Sequence, residues 1–341
     1  MGQKFIFLAL AISAGGLLNL FGMPAGWLLG AIMTGIIWGL TRERLIFEGW
    51  PFKTALAFVG TNIGLLMEQE LFAVIGAYFA PLLLVIAMTI AMGLGLGVLL
   101  YRWTELDRRT AFFCCVPGGA SEVISVSGEY GADQRIVAAF HTTRITLFVL
   151  TIPLLVGLFS TASETTQSMP ETALTLTHFW LFPFIIAAAL FLQRVIKLPA
   201  GGLLFAIILG FIFGEFIVQP TDAPAYLGGL GQALIGAMVG VRFERQTLGQ
   251  LKRIGKASAG VLGLYFGASW FIGGTFWLLT DLSYMLSVLS TVPAGAAEMA
   301  ATAFALSLQP SLVTSLHIIR VIVLFLLLPF LIKRIKNVPD G

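Results

Sequence analysis

The chain has 341 residues, of which 58% are hydrophobic and only 11% are charged, and its formal net charge is +3. Soluble domains carry roughly 25% charged residues, so this composition leaves little room for a soluble domain. Apolar runs of about 20 residues, long enough to cross a ~30 Å hydrocarbon core, recur from residue 5 to residue 332. The composition therefore predicts an all-α polytopic membrane protein, and the small net charge gives no reason to expect a nucleic-acid partner.

Twelve apolar segments are predicted, six in each half of the chain. The fourth is unusually long and is predicted to be tilted, or interrupted near Gly93-x-Gly95-x-Gly97. The first resembles a signal peptide, but it aligns with residues 180–196 in mid-chain, so it is predicted to be a membrane helix. The predicted bounds are 5–20, 24–40, 53–67, 71–101, 110–128 and 133–158, then 179–194, 199–218, 226–242, 257–280, 285–307 and 310–332.

An internal repeat with a shift of about 176 residues relates the two halves. The run Val116–Glu122 (Val-Pro-Gly-Gly-Ala-Ser-Glu) aligns with Val292–Glu298 (Val-Pro-Ala-Gly-Ala-Ala-Glu). The same shift pairs Gly60 and Gly64 with Gly236 and Gly240, and His141 and Arg144 with His317 and Arg320. The predicted domains are a first membrane repeat at 1–159, a polar extracytoplasmic linker at 160–177, and a second, inverted membrane repeat at 178–341.

The loop charges predict how the segments cross the membrane. If the fifth segment of each half enters and returns on one side, each half crosses five times and the second half is inverted. Every basic loop then lies on one side and every acidic loop on the other, as the positive-inside rule requires. The basic loops lie at 42–53, 102–109, 194–197, 242–256 and 333–336, and the acidic ones at 68–70, 160–177, 222 and 281. We therefore predict ten crossings, two re-entrant segments and cytoplasmic termini.

Both fifth segments contain a helix-breaking run. It is Pro117-Gly118-Gly119 in the first half and Pro293-Ala294-Gly295 in the second. Irregular backbone at membrane depth is tolerated only inside protein or along a watery cavity. Paired broken segments in inverted repeats, meeting near the midplane, are typical of secondary transporters.

Two arginines are predicted near the middle of the bilayer. Arg144 lies about ten residues into its helix, hence ~15 Å deep, and Arg320 reaches a similar depth from the other side. A buried arginine needs a partner, and its planar fork matches a carboxylate or phosphate. Small residues at each break, followed by a helix N-terminus, let backbone N–H groups approach the same anion. The predicted substrate-binding residues are Pro117, Gly118, Gly119, Ser121, Arg144, Pro293, Ala294, Gly295 and Arg320.

Four titratable residues accompany the arginines, one acid after each break and one histidine three residues before each arginine, on the same helix face. Buried glutamate and histidine can titrate near neutral pH, so these residues are predicted to couple transport to protons. The alternative is structural: each acid forms an internal ion pair with the arginine of its half, and each histidine bonds a neighbouring carbonyl. The four are Glu122, Glu298, His141 and His317.

Other chemistries lack their residues. No Cys/His cluster has metal-ligand spacing, and the sequence has no Gly-x-x-x-x-Gly-Lys phosphate loop and no nucleophile elbow. We therefore predict no metal, no cofactor and no enzymatic activity. The small-xxx-small motifs are predicted to let helices pack closely.

Several motifs of the chain resemble those of a bacterial membrane family known as the AbrB duplication family, which is distinct from the DNA-binding regulator of the same name. The matching features are the Pro-Ala steps at Pro24 and Pro199, the Pro-Gly-Gly run, the Gly131-Ala132-Asp133 step and the two arginines. The second half departs from the pattern with Ser307-Leu308-Gln309, so the two half-sites are predicted to differ. The resemblance implies a cytoplasmic-membrane protein of transporter type. The ammonia monooxygenase label of many members does not fit a sequence without metal-ligand spacing.

The sequence thus predicts a secondary transporter that moves a small, carboxylate-like organic anion across the bacterial cytoplasmic (inner) membrane. Transport is predicted to be proton-coupled, with Na⁺ as the alternative ion, and to proceed by alternating access around a midplane site. The alternative function is a membrane sensor or regulatory scaffold whose intramembrane ion pairs are structural. The expected partners are the anionic small molecule and the lipid bilayer, with no nucleic acid; the oligomeric state, a homodimer included, is left open.

Overall fold

A computed structural model describes residues 2–42, 45, 47, 49–159, 176–196, 198, 201–218 and 225–336. Throughout these ranges the regular structure is helical, without a strand. Five of the helices are long and apolar enough to cross a membrane, and four shorter helices are also apolar. The prediction of an all-α polytopic membrane protein is confirmed at this level. The predicted linker at 160–177 lies almost entirely outside the described residues.

In the described part of the first half, the chain forms seven helices, close to the predicted bounds. The fourth is one continuous helix of 34 residues with Pro81 inside it, so the interruption allowed for near Gly93 is absent. The fifth predicted segment is two short helices separated by the Pro-Gly-Gly run. The helices are α1 (Gly2–Leu20), α2 (Gly26–Thr41), α3 (Trp50–Leu65), α4 (Glu70–Trp103), α5 (Arg108–Cys115), α6 (Ala120–Glu129) and α7 (Gln134–Phe159).

The second half repeats this order with one addition. The helices are α8 (Leu176–Val195), α9 (Gly201–Phe213), continued by a π-helical turn at Gly214–Val218, α10 (Ala225–Gly240), α11 (Arg245–Ile254), α12 (Lys256–Leu278), α13 (Tyr284–Thr291), α14 (Ala296–Ala305) and α15 (Pro310–Lys336). The prediction missed α11 and assigned its residues to a basic loop. Its apolar residues recur every three positions at Leu248, Leu251 and Ile254, which is a helical spacing.

One compact unit comprises Met1–Gly76, Val149–Arg242 and Ala296–Ser315. Within it α2 packs along α10, and α3 packs along α9. Glycines make these approaches possible: a Cβ at Gly35 would lie 2.7 Å from the Val241 backbone nitrogen, and one at Gly60 would lie 2.6 Å from the Leu203 carbonyl oxygen. The prediction that the small-xxx-small glycines serve helix packing is confirmed here.

The other compact unit comprises Ala77–Phe148, Phe243–Gly295 and Leu316–Gly341. Its core includes buried residues of α5, α7 and α12. Two glycines at the 176-residue shift bring long helices against the first helix of each broken segment. A Cβ at Gly97 of α4 would lie 3.3 Å from the Phe112 Cα, and one at Gly273 of α12 would lie 2.7 Å from the Val288 Cα.

Candidate functional site

The first broken segment, α5 and α6, folds back on itself. Near the start of α5, the Arg109 side chain donates to the Tyr130 carbonyl, just beyond the end of α6, at 3.4 Å. The Thr110 hydroxyl accepts from the Asp133 backbone N–H at 2.8 Å. The first residues of α5 therefore meet the residues that follow α6, so the two helices form an antiparallel hairpin.

The backbone of the second broken segment matches the first at the 176-residue shift. Both begin with a helix of eight residues and continue with a helix of ten. Asp107 caps the start of α5, and Ser283 caps the start of α13, each through a side-chain oxygen. The breaks open with Val116 at φ −61°, ψ 132° and Val292 at φ −56°, ψ 136°.

The repeat persists where the sequence departs from it. Gly131 follows α6 with φ 77°, and Ser307 follows α14 with φ 54°. In each case the next residue closes the turn: the Ala132 N–H donates to the Ser127 carbonyl, and the Leu308 N–H donates to the Ala303 carbonyl. A serine therefore holds the left-handed conformation that glycine normally supplies at a helix end.

The second helices of the two broken segments differ in burial. Nine of the ten residues of α14, Glu298 among them, are buried, and the helix packs against α10, α3 and α2. On α6, by contrast, Ser125 and Glu129 are exposed. The Ser121 and Glu122 side chains lie outside the described part of the structure.

Arg144 belongs to a buried polar cluster on α7 and α12. Its Nη1 donates to the Tyr265 hydroxyl at 3.2 Å, and its Nη2 donates to His141 Nδ1 at 3.0 Å. The guanidinium carbon also lies 4.9 Å from the centre of the Tyr265 ring. Arg144 is 2% exposed, and Tyr265 and His141 are fully buried.

The same cluster caps the end of α5. The Tyr265 hydroxyl donates to the Cys115 carbonyl at 3.3 Å, and His141 Nε2 lies 2.8 Å from the Phe113 carbonyl. Because a carbonyl only accepts, Nε2 carries the ring proton, and Nδ1 accepts from Arg144. His141 and Tyr265 therefore satisfy carbonyls that a helix C-terminus leaves open, and Arg144 binds to these two side chains.

Arg144 keeps unused donors. Its Nε is buried and has no hydrogen-bond partner among the residues that the structure describes. The two partners of its terminal nitrogens, a hydroxyl and an imidazole nitrogen, are uncharged acceptors. The guanidinium charge therefore has no described carboxylate partner, and the expected pairing with Glu122 falls on a side chain outside the description.

Arg320 on α15 is bound quite differently. Its Nη1 donates to the carbonyls of Thr291, at 3.0 Å, and of Val292, and its Nη2 donates to the Ala294 carbonyl at 2.8 Å. Arg320 is 5% exposed. It caps the C-terminus of α13 and holds the break itself. The partners that the structure gives Arg320 are backbone carbonyls rather than a carboxylate.

The predicted residues are thus partly assembled. Within one compact unit, Arg144 contacts His141, Arg320 contacts the Ala294 backbone, and Arg320 lies within electrostatic range of Arg144 and Tyr265. Pro117, Pro293 and His317 are buried in that unit, whereas Gly118, Gly119 and Gly295 are half-buried. Glu298 belongs to the other unit.

Sequence reasoning missed Tyr265. The 176-residue shift pairs it with Thr89, so the repeat carries no matching signal there. The available signal was a tyrosine within an apolar helix, which needs a partner for its hydroxyl when it is buried. In the described ranges, no group of three or more His, Cys, Asp or Glu residues is placed to hold a metal ion.

Comparison with known proteins places the chain in a family. The family described as "Transition state regulatory protein AbrB" matches residues 27–336. The chain is 26% identical over 357 residues to "Uncharacterized protein YhjN" of Bacillus subtilis (strain 168), covering 95% of this chain and 90% of that protein. It is 24% identical over 322 residues to "Putative regulator AbrB" of Escherichia coli (strain K12), covering 92% and 91%. No solved structure matches it significantly. The chain belongs to the AbrB family, the membrane family that its Pro-Gly-Gly and arginine motifs resemble.

Proposed function

We propose that the protein is a secondary transporter for a small organic anion in the bacterial cytoplasmic membrane. The observation that carries the proposal is a pair of buried arginines, each beside a broken helix and neither bound to a described carboxylate. Burying a guanidinium is costly, and an anionic substrate would stabilise it when bound.

The topology that we propose is two inverted repeats of five crossings. The antiparallel contacts of α5 and α6 favour a segment that returns to its starting side. The packing of α2 on α10 and of α3 on α9 also supports it, because both pairs run parallel: Gly60 and Gly64 of α3 face Leu203 and Ile207 of α9. The second helix of one half runs parallel to the third helix of the other only if the second half is inverted. Ten crossings then place every basic loop and both termini in the cytoplasm.

Proton coupling forms part of the proposal. Glu298 is a buried acid on α14. In the repeat, Glu122 occupies the position matched to Glu298, and His317 occupies the position matched to His141. Both ring nitrogens of His141 are engaged, one by the Phe113 carbonyl and one by Arg144. His141 can therefore take up a proton only when Arg144 leaves its Nδ1, which would link protonation to a movement of the arginine.

The proposal is tested by ligand-dependent stability. The protein, purified in detergent, is melted with organic anions, amines and neutral solutes at about pH 6 and about pH 8, which bracket the titration of histidine. A ligand that binds only the folded state raises stability by RT ln(1 + [L]/Kd). We expect stabilisation by carboxylates and none by amines. A panel in which no anion raises the melting temperature would contradict the proposal.

A second function is a membrane sensor or regulatory scaffold. It is favoured by the Arg320 contacts, which are structural in kind, and by the name of the relative called "Putative regulator AbrB". On this account both arginines only stabilise the fold. Substitution of either would lower the melting temperature, and no carboxylate would bind.

A further inference from the structure

The two arginines differ in the donors that they have left to offer a ligand. Two terminal nitrogens of Arg320 reach three carbonyls at the break between α13 and α14. Those carbonyls belong to the end of a helix and have few other sources of hydrogen bonds. An anion that drew Arg320 away would take this donor from the buried Thr291 and Ala294 carbonyls, whereas the Val292 carbonyl would keep the Ala294 backbone N–H.

The described hydrogen bonds of Arg144 go to side chains and not to backbone carbonyls. The Phe113 and Cys115 carbonyls of the first break are already capped by His141 and Tyr265. A guanidinium has five N–H donors, and the described contacts of Arg144 use two of them. Its buried Nε is unpartnered among the described residues.

The donors that Arg144 leaves unused determine which ligand it can bind. The Nε–H and an adjacent Nη–H form the side of the fork that binds a carboxylate through two parallel hydrogen bonds. One carboxylate uses that edge and neutralises the charge. A second carboxylate would need a second cation, and the nearby Arg320 already gives three of its five N–H donors to carbonyls of the second break.

We propose that Arg144 alone binds the substrate, that Arg320 is a structural clamp on the second break, and that the substrate is a small monocarboxylate. This inference rests on the proposed transport function and deepens it. The site is built from α7 and α12, with His141 and Tyr265 orienting the guanidinium, and it lies within one compact unit.

The test uses purified full-length protein and the sodium salts of acetate, lactate and pyruvate, with succinate and phosphate for comparison, at constant ionic strength. We expect Arg144→Gln to fold and to weaken monocarboxylate binding at least ~30-fold, the effect of truncating one partner of a buried charged hydrogen bond. Arg144→Lys, which keeps the charge but loses the fork, should also bind weakly. Because Arg320→Gln removes the clamp and destabilises the fold, the comparison variant is Arg320→Lys, which we expect to bind within about threefold of wild type.

Several results would overturn the inference. They are wild-type affinity in Arg144→Gln, failure of Arg144→Gln to fold, equal losses in Arg144→Gln and Arg320→Lys, or tighter binding of succinate than of any monocarboxylate. If the wild-type protein binds an anion, none of these results contradicts anion transport. Absence of binding by every anion to the wild-type protein would instead overturn the proposed function together with this inference.

Discussion

The two broken segments have nearly the same backbone and different chemistry. The Cys115 and Thr291 carbonyls occupy matched positions at the ends of α5 and α13. The first accepts from the Tyr265 hydroxyl, and the second accepts from Arg320 directly. Matched arginines therefore have different contacts in the two halves. Arg320 bonds the backbone of its break, whereas Arg144 bonds a tyrosine that in turn bonds the backbone.

The cause of this difference lies on a third helix. Tyr265 of α12 reaches the first break, whereas Thr89, its counterpart on α4, bonds the Val85 carbonyl of its own helix. A tyrosine that caps the first break releases Arg144 from that task. A duplicated fold can thus assign two tasks to a repeated residue through one neighbour that is not repeated.

The largest expected effect is at the second break. Arg320→Gln removes donors from the carbonyls of Thr291, Val292 and Ala294, of which, among the described contacts, only the Val292 carbonyl keeps another donor, the Ala294 backbone N–H. We expect the free energy of unfolding to fall by about 2–4 kcal/mol, because each buried acceptor left unsatisfied costs on the order of 1–3 kcal/mol and loss of the buried charge offsets part of it. Melting in detergent measures this loss.

The matched variant is Arg144→Gln. It strands no backbone carbonyl, so its melting temperature should remain much closer to that of the wild type. Equal destabilisation by the two substitutions would show that the arginines have equivalent structural tasks.

The glycines that face the broken segments should have the next largest effect. In Gly93→Ala the added Cβ would meet the Cys115 carbonyl and the Pro117 ring, each at 2.7 Å, and in Gly273→Ala it would meet the Val288 Cα at the same distance. Such overpacking costs about 1–3 kcal/mol. Chemical denaturation or melting would detect it in both variants.

Two other glycines on the same helices serve as controls. A Cβ at Gly95 of α4 or at Gly267 of α12 meets nothing within 4 Å. Alanine there should be neutral or stabilising by up to about 1 kcal/mol, as in an ordinary helix. Equal changes in unfolding free energy at the facing and the control glycines would contradict the role of close helix packing at Gly93 and Gly273.

A smaller effect is expected for Tyr265→Phe. The ring remains, but the Cys115 carbonyl and Arg144 Nη1 each lose a partner. We expect a loss of about 1–2 kcal/mol in unfolding free energy, which is less than for Arg320→Gln. Differential melting of the two variants tests the order, and an unchanged melting temperature in Tyr265→Phe would remove the tyrosine from the cap of the first break.

The smallest effect concerns the turns after the broken segments. Ser307→Gly should stabilise the protein by about 0.5–1 kcal/mol, because glycine relieves the left-handed strain at some entropic cost. Gly131→Ala should destabilise it by about 1 kcal/mol. Thermal melting of this reciprocal pair should give opposite signs, and equal signs would contradict the shared turn geometry of the two ends.

Much of the fold could be predicted from hydrophobic runs and the repeat. The helix bounds, both breaks and the starts of α7 and α15 follow from local residue chemistry, in which proline followed by small residues destabilises a continuous helix. The amphipathic α11 was missed because the basic residues Lys252 and Arg253 were interpreted as loop charges. The apolar residues Leu248, Leu251 and Ile254 nevertheless recur at a helical spacing.

The contacts of the site could not be predicted in the same way. Burial and polarity indicated that Arg144 and Arg320 need partners, yet the sequence pointed to acids rather than to carbonyls and a tyrosine. Which partner an arginine meets depends on the rotation and depth of neighbouring helices. Tyr265 reaches Arg144 across 121 positions of the chain, and nothing in the local sequence around either residue encodes that distance.

Arg144 is the residue that we propose binds the transported anion. The most direct test of this claim is uptake of radiolabelled acetate, lactate and pyruvate into proteoliposomes under an imposed proton gradient, for wild type, Arg144→Gln and Arg320→Lys. We predict concentrative uptake of at least one monocarboxylate by wild type and by Arg320→Lys, with Arg144→Gln at the level of protein-free liposomes. Uptake by Arg144→Gln at the wild-type rate would contradict the claim.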